Sequence, residues 1–245
     1  VSELAELVHV NEYLYSEVET DIRKSGEKLF DYVDPKNRAV QIEMEAVCTA
    51  YLKRDGGYLA PDFEPVTFDA GGFEQEASVI IPVRNRIRTI EDAIRSVLAQ
   101  KTTFRFNLII VDNHSTDGTS EAIGKYTADG RVVHLVPERS DLGIGGCWNV
   151  GVHHPACGKF AVQLDSDDVY SGPDTLQKIV DAFYEQNCAM VVGTYRMTDF
   201  KMNEIPPGII DHREWTLENG RNNALRINGL GAPRAFYTPV LRRIY

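Results

Sequence analysis

Across residues 77–195 the chain alternates short, nearly unbroken apolar runs with stretches whose apolar residues recur every three or four positions. The first kind reads as buried strand, the second as amphipathic helix. Strands are predicted over 77–83, 106–111, 131–136, from Phe160 onward, and over 189–195. Between them, Thr89 with Asp92 three residues on has the form of a capping box ahead of Ile90, Ile94, Val97 and Leu98. Ser115-Thr116-Asp117-Gly118 turns the chain into a short helix reaching about Tyr126, and Gly143-Ile144-Gly145-Gly146 leads into another over 147–153. Pro173 suits the first turn of a further helix, with Leu176, Ile179, Val180 and Phe183 facing inward. This alternation predicts an α/β fold, a mainly parallel sheet covered on both faces. Beyond Asp199 the pattern weakens into a loop-rich region.

The first 55 residues read as helical. Leu4, Leu7, Val8, Leu14, Val18 and Ile22 form one stripe; Val40, Met44, Val47, Tyr51 and Leu52 form a second over 38–53. Asp34-Pro35 separates the two, and Asp55-Gly56-Gly57 ends the second. Both stripes are expected to pack on the main domain. Residues 56–76, with Pro61, Pro65 and Gly71-Gly72, read as a linker. The expected division is therefore 1–72, helical extension and linker, and 73–245, the α/β domain.

Composition narrows the partners. At 245 residues, 43% hydrophobic, the chain can bury a substantial core. A formal net charge of -10 offers no broad attraction to a phosphate backbone, so nucleic acid is not an expected partner. Cys48, Cys147, Cys157 and Cys188 show no short paired spacing, which suits a reduced, cytosolic protein. Cys147, His153, His154 and Cys157 lie close in sequence, but their spacing matches no familiar zinc pattern. No apolar run approaches membrane-spanning length and no signal peptide is visible. Because it begins at Val1 and stops at Tyr245 within a helical pattern, the chain is expected to be a fragment.

The chemistry gathers where the predicted fourth strand ends. Phe160-Ala161-Val162-Gln163-Leu164 runs directly into Asp165-Ser166-Asp167-Asp168. Parallel sheets bind ligands beyond the carboxyl ends of their strands, and three acids crowded there repel one another unless a cation balances them. A divalent metal gripping a diphosphate is one such counterweight. An acidic turn, with Asp174 capping the next helix, is the alternative. Two more strand ends meet the same edge: Arg84-Asn85-Arg86 after the first and Asp112-Asn113 after the second. Carboxylates suit base, ribose and metal contacts, while arginines and strand-end amides suit phosphate. Taken singly, the arginines read as a solvated loop and Asp112 as a turn residue; together they suit a nucleoside diphosphate carrying a sugar.

Three motifs then resemble the family 2 glycosyltransferases of GT-A fold, in family order: Ile80-Ile81-Pro82-Val83-Arg84-Asn85, Val111-Asp112-Asn113-His114-Ser115-Thr116-Asp117-Gly118-Thr119, and Leu164-Asp165-Ser166-Asp167-Asp168. The resemblance covers residue 77 to the end. It implies a GT-A, Rossmann-like sheet and an inverting, nucleotide-sugar-dependent hexosyltransferase. It implies that Pro82, Val83, Arg84 and Asn85 line the nucleotide pocket, that Asp112 reaches the base, and that Asn113 and Asn149 lie on the donor side. Asp165-Ser166-Asp167 is implied to bind ribose and a divalent Mn2+ or Mg2+, with Asp165 and Asp167 as catalytic and metal residues. Gly229 and Gly231 are implied to lie near the acceptor. The implied partners are a UDP- or GDP-sugar and a glycan or lipid-linked acceptor. The implied setting is polysaccharide or glycoconjugate synthesis in the cytoplasm or peripherally at the inner membrane face.

The chain departs from the family pattern twice. Asn113 stands where a second aspartate is usual, and Cys147-Trp148-Asn149 where Ala-Arg-Asn is usual, which removes an arginine from the donor side. Trp148 offers an indole donor and a stacking face, or packs as an ordinary helix residue. Family members place the general base well downstream, near an acidic pair. No acidic residue follows Glu218, so the base is expected beyond Tyr245, with Asp211, Glu214 and Glu218 as alternatives.

Rival readings are a non-catalytic nucleotide-sugar-binding or scaffold module, whose helical N-terminus docks a partner, and a haloacid-dehalogenase-like phosphatase. The second family places its Asp-x-Asp on the opening strand, whereas three strands precede it here. A dinucleotide-dependent oxidoreductase is a weaker rival still, since Trp148 occupies the third glycine position after Gly143 and Gly145 and the turn does not follow the first strand.

Overall fold

Seven consecutive buried residues make Ala77–Val83 the spine of the fold. The structure is a computed structural model that describes residues 8–16, 38–69, 71–212, 215–218, 222 and 233–244. In chain order its elements are α1 (Arg38–Asp55), β1 (Ala77–Val83), α2 (Ile90–Leu98), β2 (Phe106–Asp112), α3 (Thr119–Gly124), β3 (Val132–Leu135), α4 (Gly143–His153), β4 (Phe160–Gln163) and α5 (Thr175–Gln186). There follow β5 (Met190–Val192), β6 (Tyr195–Thr198), β7 (Glu204–Ile210), β8 (Arg234–Tyr237) and α6 (Thr238–Leu241).

Six strands form one sheet in the order β3-β2-β1-β4-β8-β5, and β6 pairs with β7 in a separate two-stranded sheet. The first four run parallel; β8 lies antiparallel between β4 and β5. Alternation along β1 divides the core. Val79, Ile81 and Val83 join Ile90, Ile94 and Val97 of α2, Ile123 of α3, and Leu176, Val180 and Phe183 of α5. Ile80 faces the other way, with Ile109, Val111 and Ala161, onto Cys147 and Val152 of α4. Each such side chain contributes about 1.5–3 kcal/mol on burial. A Cβ on Gly151 would stand 2.6 Å from Ile80 Cγ2, which shows how closely α4 lies on the sheet.

Register aligns the edge where chemistry is expected. Val83 pairs with Asp112 and Ile80 with Gln163, so β1, β2 and β4 present their carboxyl ends together. The crossovers change direction between β1 and β4, which opens a crevice there.

The α/β expectation and its mainly parallel sheet are borne out, with five corrections. Residues 8–16 contain no helix, and Val8 and Leu14 are exposed; Leu4, Leu7, Val18 and Ile22 lie outside the described residues. The second helix forms and ends as expected, with Gly56 in the left-handed region and Gly57 and Tyr58 donating to Leu52. Its apolar stripe, however, does not pack: Val40, Met44, Val47 and Tyr51 are exposed. Neither half of the capping box forms: Thr89 Oγ1 has no hydrogen-bond partner, and the Asp92 carboxylate accepts from Arg95 at 3.0 Å. The predicted last strand breaks at Gly193, where a Cβ would meet Pro233, and the chain restarts as β6 in the second sheet. The supposed linker is also held firmly. Val66 N–H donates to Asn187 O at 2.8 Å, and Phe68 packs edge-on against Phe160, Tyr184 and Tyr237.

Candidate functional site

Two of the three strand-end loops are stitched together by hydrogen bonds that their own sequences dictate. Asn85 adopts a left-handed φ of 54°, a conformation asparagine tolerates better than most residues. There its Oδ1 accepts Thr116 N–H at 2.8 Å while its own N–H donates to Ser115 Oγ at 2.9 Å. Arg86 N–H donates to Thr119 Oγ1, and Ile87 N–H to Asp117 Oδ2. Asn113 N–H closes the join by donating to Val83 O at 2.8 Å. Pro82 and Val83 are buried strand residues behind this seam, and Arg84 and Arg86 project outward from it.

Asp112 turns inward. It is fully buried, with Oδ1 accepting Ser115 N–H at 2.9 Å, Oδ2 accepting the Ser120 hydroxyl, and His134 Nε2 at 3.6 Å. Burial alone would raise its pKa; the bonds from Ser115 and Ser120, with His134, outweigh that and hold it below the usual carboxylate range. In this structure both carboxylate oxygens of Asp112, the residue expected at the base, hold the loop. Asn113 is the next residue, nearly buried, and its Oδ1 has no hydrogen-bond partner. A buried carbonyl left unpaired costs free energy until a donor reaches it.

The acidic loop joins the same seam. Leu164 N–H donates to Ile80 O at 3.2 Å, continuing the β1–β4 pairing, and Asp168 N–H turns back to Asp165 O at 3.1 Å. Asp165 is partly buried and accepts Gln163 Nε2 at 2.9 Å; Ser166 is buried; Asp167 is half-exposed, 3.8 Å from Arg86 Nε. That exposed pair contributes little stability, but it ties the first loop to the third. Desolvation, then the charges of Asp165 and Asp167, push the Asp168 carboxyl up to about 6. Asp168 nonetheless keeps an exposed face, where water and ions reach it. The second sheet reaches this edge as well, with the Arg88 guanidinium 5.0 Å from the Phe200 ring at the β6–β7 turn.

The remaining expected residues divide. Asn149 sits partly buried on α4. Trp148 packs against the second core cluster and edge-on to Phe236 at 6.4 Å, the packed alternative rather than an open stacking face. Gly229 and Gly231 lie outside the described residues. Cys147 and Cys157 are buried in the core, and His154 Nδ1 accepts Ala156 N–H. Sequence reasoning passed over Gln163. Its signal was a polar residue inside an otherwise apolar run, and the structure sets it 3% exposed against Asp165.

Among the described residues no three His, Cys, Asp or Glu side chains are gathered to hold an ion by themselves. Asp165 and Asp167 supply carboxylate oxygens, the donor type that suits Mg2+ or Mn2+. Such ions take one or two carboxylates and complete their shell with waters and substrate phosphates.

The pattern described as Glycosyl transferase family 2 matches residues 78–243. The chain is 33% identical over 120 residues to the Bacillus subtilis protein named for teichuronic acid biosynthesis, glycosyltransferase TuaG, covering 49% of this chain and 46% of that one. It is 38% identical over 97 residues to an uncharacterized glycosyltransferase of Rickettsia conorii, covering 40% of this chain and 15% of the relative. The chain thus spans less than half the length of these curated relatives. Among solved structures, S. aureus TarS 1–349 in complex with UDP-GlcNAc superposes with a TM-score of 0.54 at 23% identity, over 69% of this chain and 47% of that one. Mannosyltransferase PcManGT from Pyrobaculum calidifontis, in complex with GDP-Man and Mn2+, does so at 0.50 and 19%, over 84% and 56%. At these identities the likeness is one of fold, the GT-A arrangement of a mainly parallel sheet flanked by helices.

Proposed function

The chain belongs to glycosyl transferase family 2, and from that membership we infer that it moves a sugar from a nucleoside diphosphate to an acceptor hydroxyl. The observation that carries the reading is the seam itself, where the ends of β1, β2 and β4 lie side by side and Arg86 meets Asp167. Asn113 presents an amide to the nucleobase, able to accept and donate at once, while Asp112 holds the loop beneath it. Asp165 takes the ribose side. Asp167, with Asp165, would hold Mn2+ or Mg2+, which when bound neutralises charge developing on the departing diphosphate. Pro82 and Val83 back the pocket, and Arg84 and Asn85 edge it. The acceptor oxygen forms its bond to the anomeric carbon as the carbon–phosphate-oxygen bond breaks on the opposite face. That bond's electron pair leaves with the nucleoside diphosphate, and a carboxylate base takes the hydroxyl proton. The acceptor is a glycan or lipid-linked sugar. Among the described residues no helix is long and apolar enough to cross a membrane.

Calorimetric titration with UDP and GDP, each with and without Mn2+, tests the reading. Metal-dependent binding of one nucleotide is expected; no binding under any of the four conditions would overturn it. The non-catalytic alternative draws support from Trp148, which packs where the family's arginine is usual. Metal-dependent binding without turnover of any donor sugar would favour it.

A further inference from the structure

We propose that Arg234 and Gln163 form a positioning relay that fixes Asp165 for donor binding, an inference that rests on the donor reading above. Arg234 begins β8, and the antiparallel register that pairs Val162 with Ala235 brings it opposite Gln163, the last residue of β4. Its Nε donates to Gln163 Oε1 at 2.8 Å, and Gln163 Nε2 donates onward to Asp165 Oδ1 at 2.9 Å. Chemistry forces the amide orientation. A guanidinium can only donate and a carboxylate can only accept, so the amide oxygen must face Arg234 and its nitrogen must face Asp165. Gln163 is 3% exposed, and a flipped amide would confront two donors at one end and two acceptors at the other.

A neutral amide between a cation and an anion is polarised by both, so each hydrogen bond strengthens the other. No carboxylate pairs with Arg234 among the described residues, so its charge is directed along this chain rather than neutralised beside it. The relay occupies Oδ1 of Asp165 and leaves Oδ2 without a hydrogen bond from any described residue. The free oxygen then has a fixed direction before any ligand arrives. Neither Gln163 nor Arg234 need touch the donor; both act through Asp165.

The test uses the full chain and two readouts. Titrating UDP and GDP with and without Mn2+, Arg234→Met and Gln163→Leu should each weaken metal-dependent nucleotide binding by about 10–100-fold, the range typical of lost outer-shell partners. Metal-free binding should change less, unfolding midpoints should show both variants folded, and the double variant should lose no more than the worse single one. Arg234→Lys, which keeps a cationic donor, should recover part of the loss. Wild-type affinity in either single variant, or losses that add in the double variant, would overturn the relay. Independently of any nucleotide, the Gln163 side-chain amide resonance should shift in both Arg234→Met and Asp165→Asn; no shift in either would also overturn it. A wild-type chain that binds no nucleotide yet shows both shifts would overturn the donor reading and leave the relay standing.

Discussion

Asp112 and Asn113 are neighbours, both buried, and the difference between them is one of pairing. Asp112 faces the core side of its loop, and its stabilisation depends on ionisation. Its carboxyl lies below the ordinary range in the fold, so the unfolded chain binds the proton more readily. The stability it contributes is therefore complete above the unfolded value of about 3.9 and drains away as pH falls through the folded value. Thermal unfolding from about pH 6 down to about pH 3 should show a steep acid loss in the wild type and a shallower one in Asp112→Asn, which starts from a lower midpoint. Asn113 has an unpaired Oδ1 and no comparable role in the fold. Asn113→Ala should leave the unfolding midpoint within about 0.5 kcal/mol of wild type and weaken nucleotide binding by about tenfold, the worth of one hydrogen bond of about 1–1.5 kcal/mol. Equal nucleotide affinity in that variant would remove Asn113 from the pocket. The motif marks this pair in the sequence, but it could not tell which member is tied into the loop; that depends on Ser115, Ser120 and His134 closing around the Asp112 carboxylate.

At the scale of elements, legibility follows the range of the interactions. β1, β2, α2 and α5 were readable because each carries its own local pattern, and most of the residues expected inward are buried, Leu98 and Ile179 only partly. β8 was not. Four residues of mixed character become a sheet-interior strand only through pairing with β4 and β5, more than forty residues earlier, so nothing local marks it. Gln163 is visible as a polar residue in an apolar run, but its partner Arg234 is hidden for the same reason. α4 shows the same division within one element, since its glycines look equivalent in sequence but differ in what surrounds them. A Cβ on Gly145 would meet nothing within 4 Å, whereas on Gly151 it would press on Ile80 and Val111. Gly145→Ala should therefore stabilise the fold by about 0.5–1 kcal/mol, the helix penalty of glycine. Gly151→Ala should destabilise it by about 1–3 kcal/mol through overpacking. Chemical denaturation of the two variants checks the sign of each. If both move the same way, α4 does not sit on β1 as described.

For the whole molecule, the question is where the folded unit begins. The family match starts at residue 78 and the sequence division fell at 72/73, but the packing extends further upstream. Phe68 sets its ring 5.1 to 5.4 Å from those of Tyr237, Tyr184 and Phe160, at β8, α5 and β4, while Val66 is tied to the end of α5. These contacts clamp the amino-terminal edge of the sheet, opposite the candidate site, and they bridge strands whose pairing is the least local in the fold. α1, by contrast, turns Val40, Met44, Val47 and Tyr51 to solvent and buries Gln41 alone. A chain beginning at residue 56 should keep the wild-type unfolding midpoint, and one beginning at residue 73 should lose stability. Phe68→Ala in the full chain should reproduce much of that loss, about 1–3 kcal/mol, less than the ~3–5 kcal/mol of a fully buried phenylalanine. Equal midpoints for the two truncations would mean that the aromatic clamp contributes nothing and that the unit begins at β1.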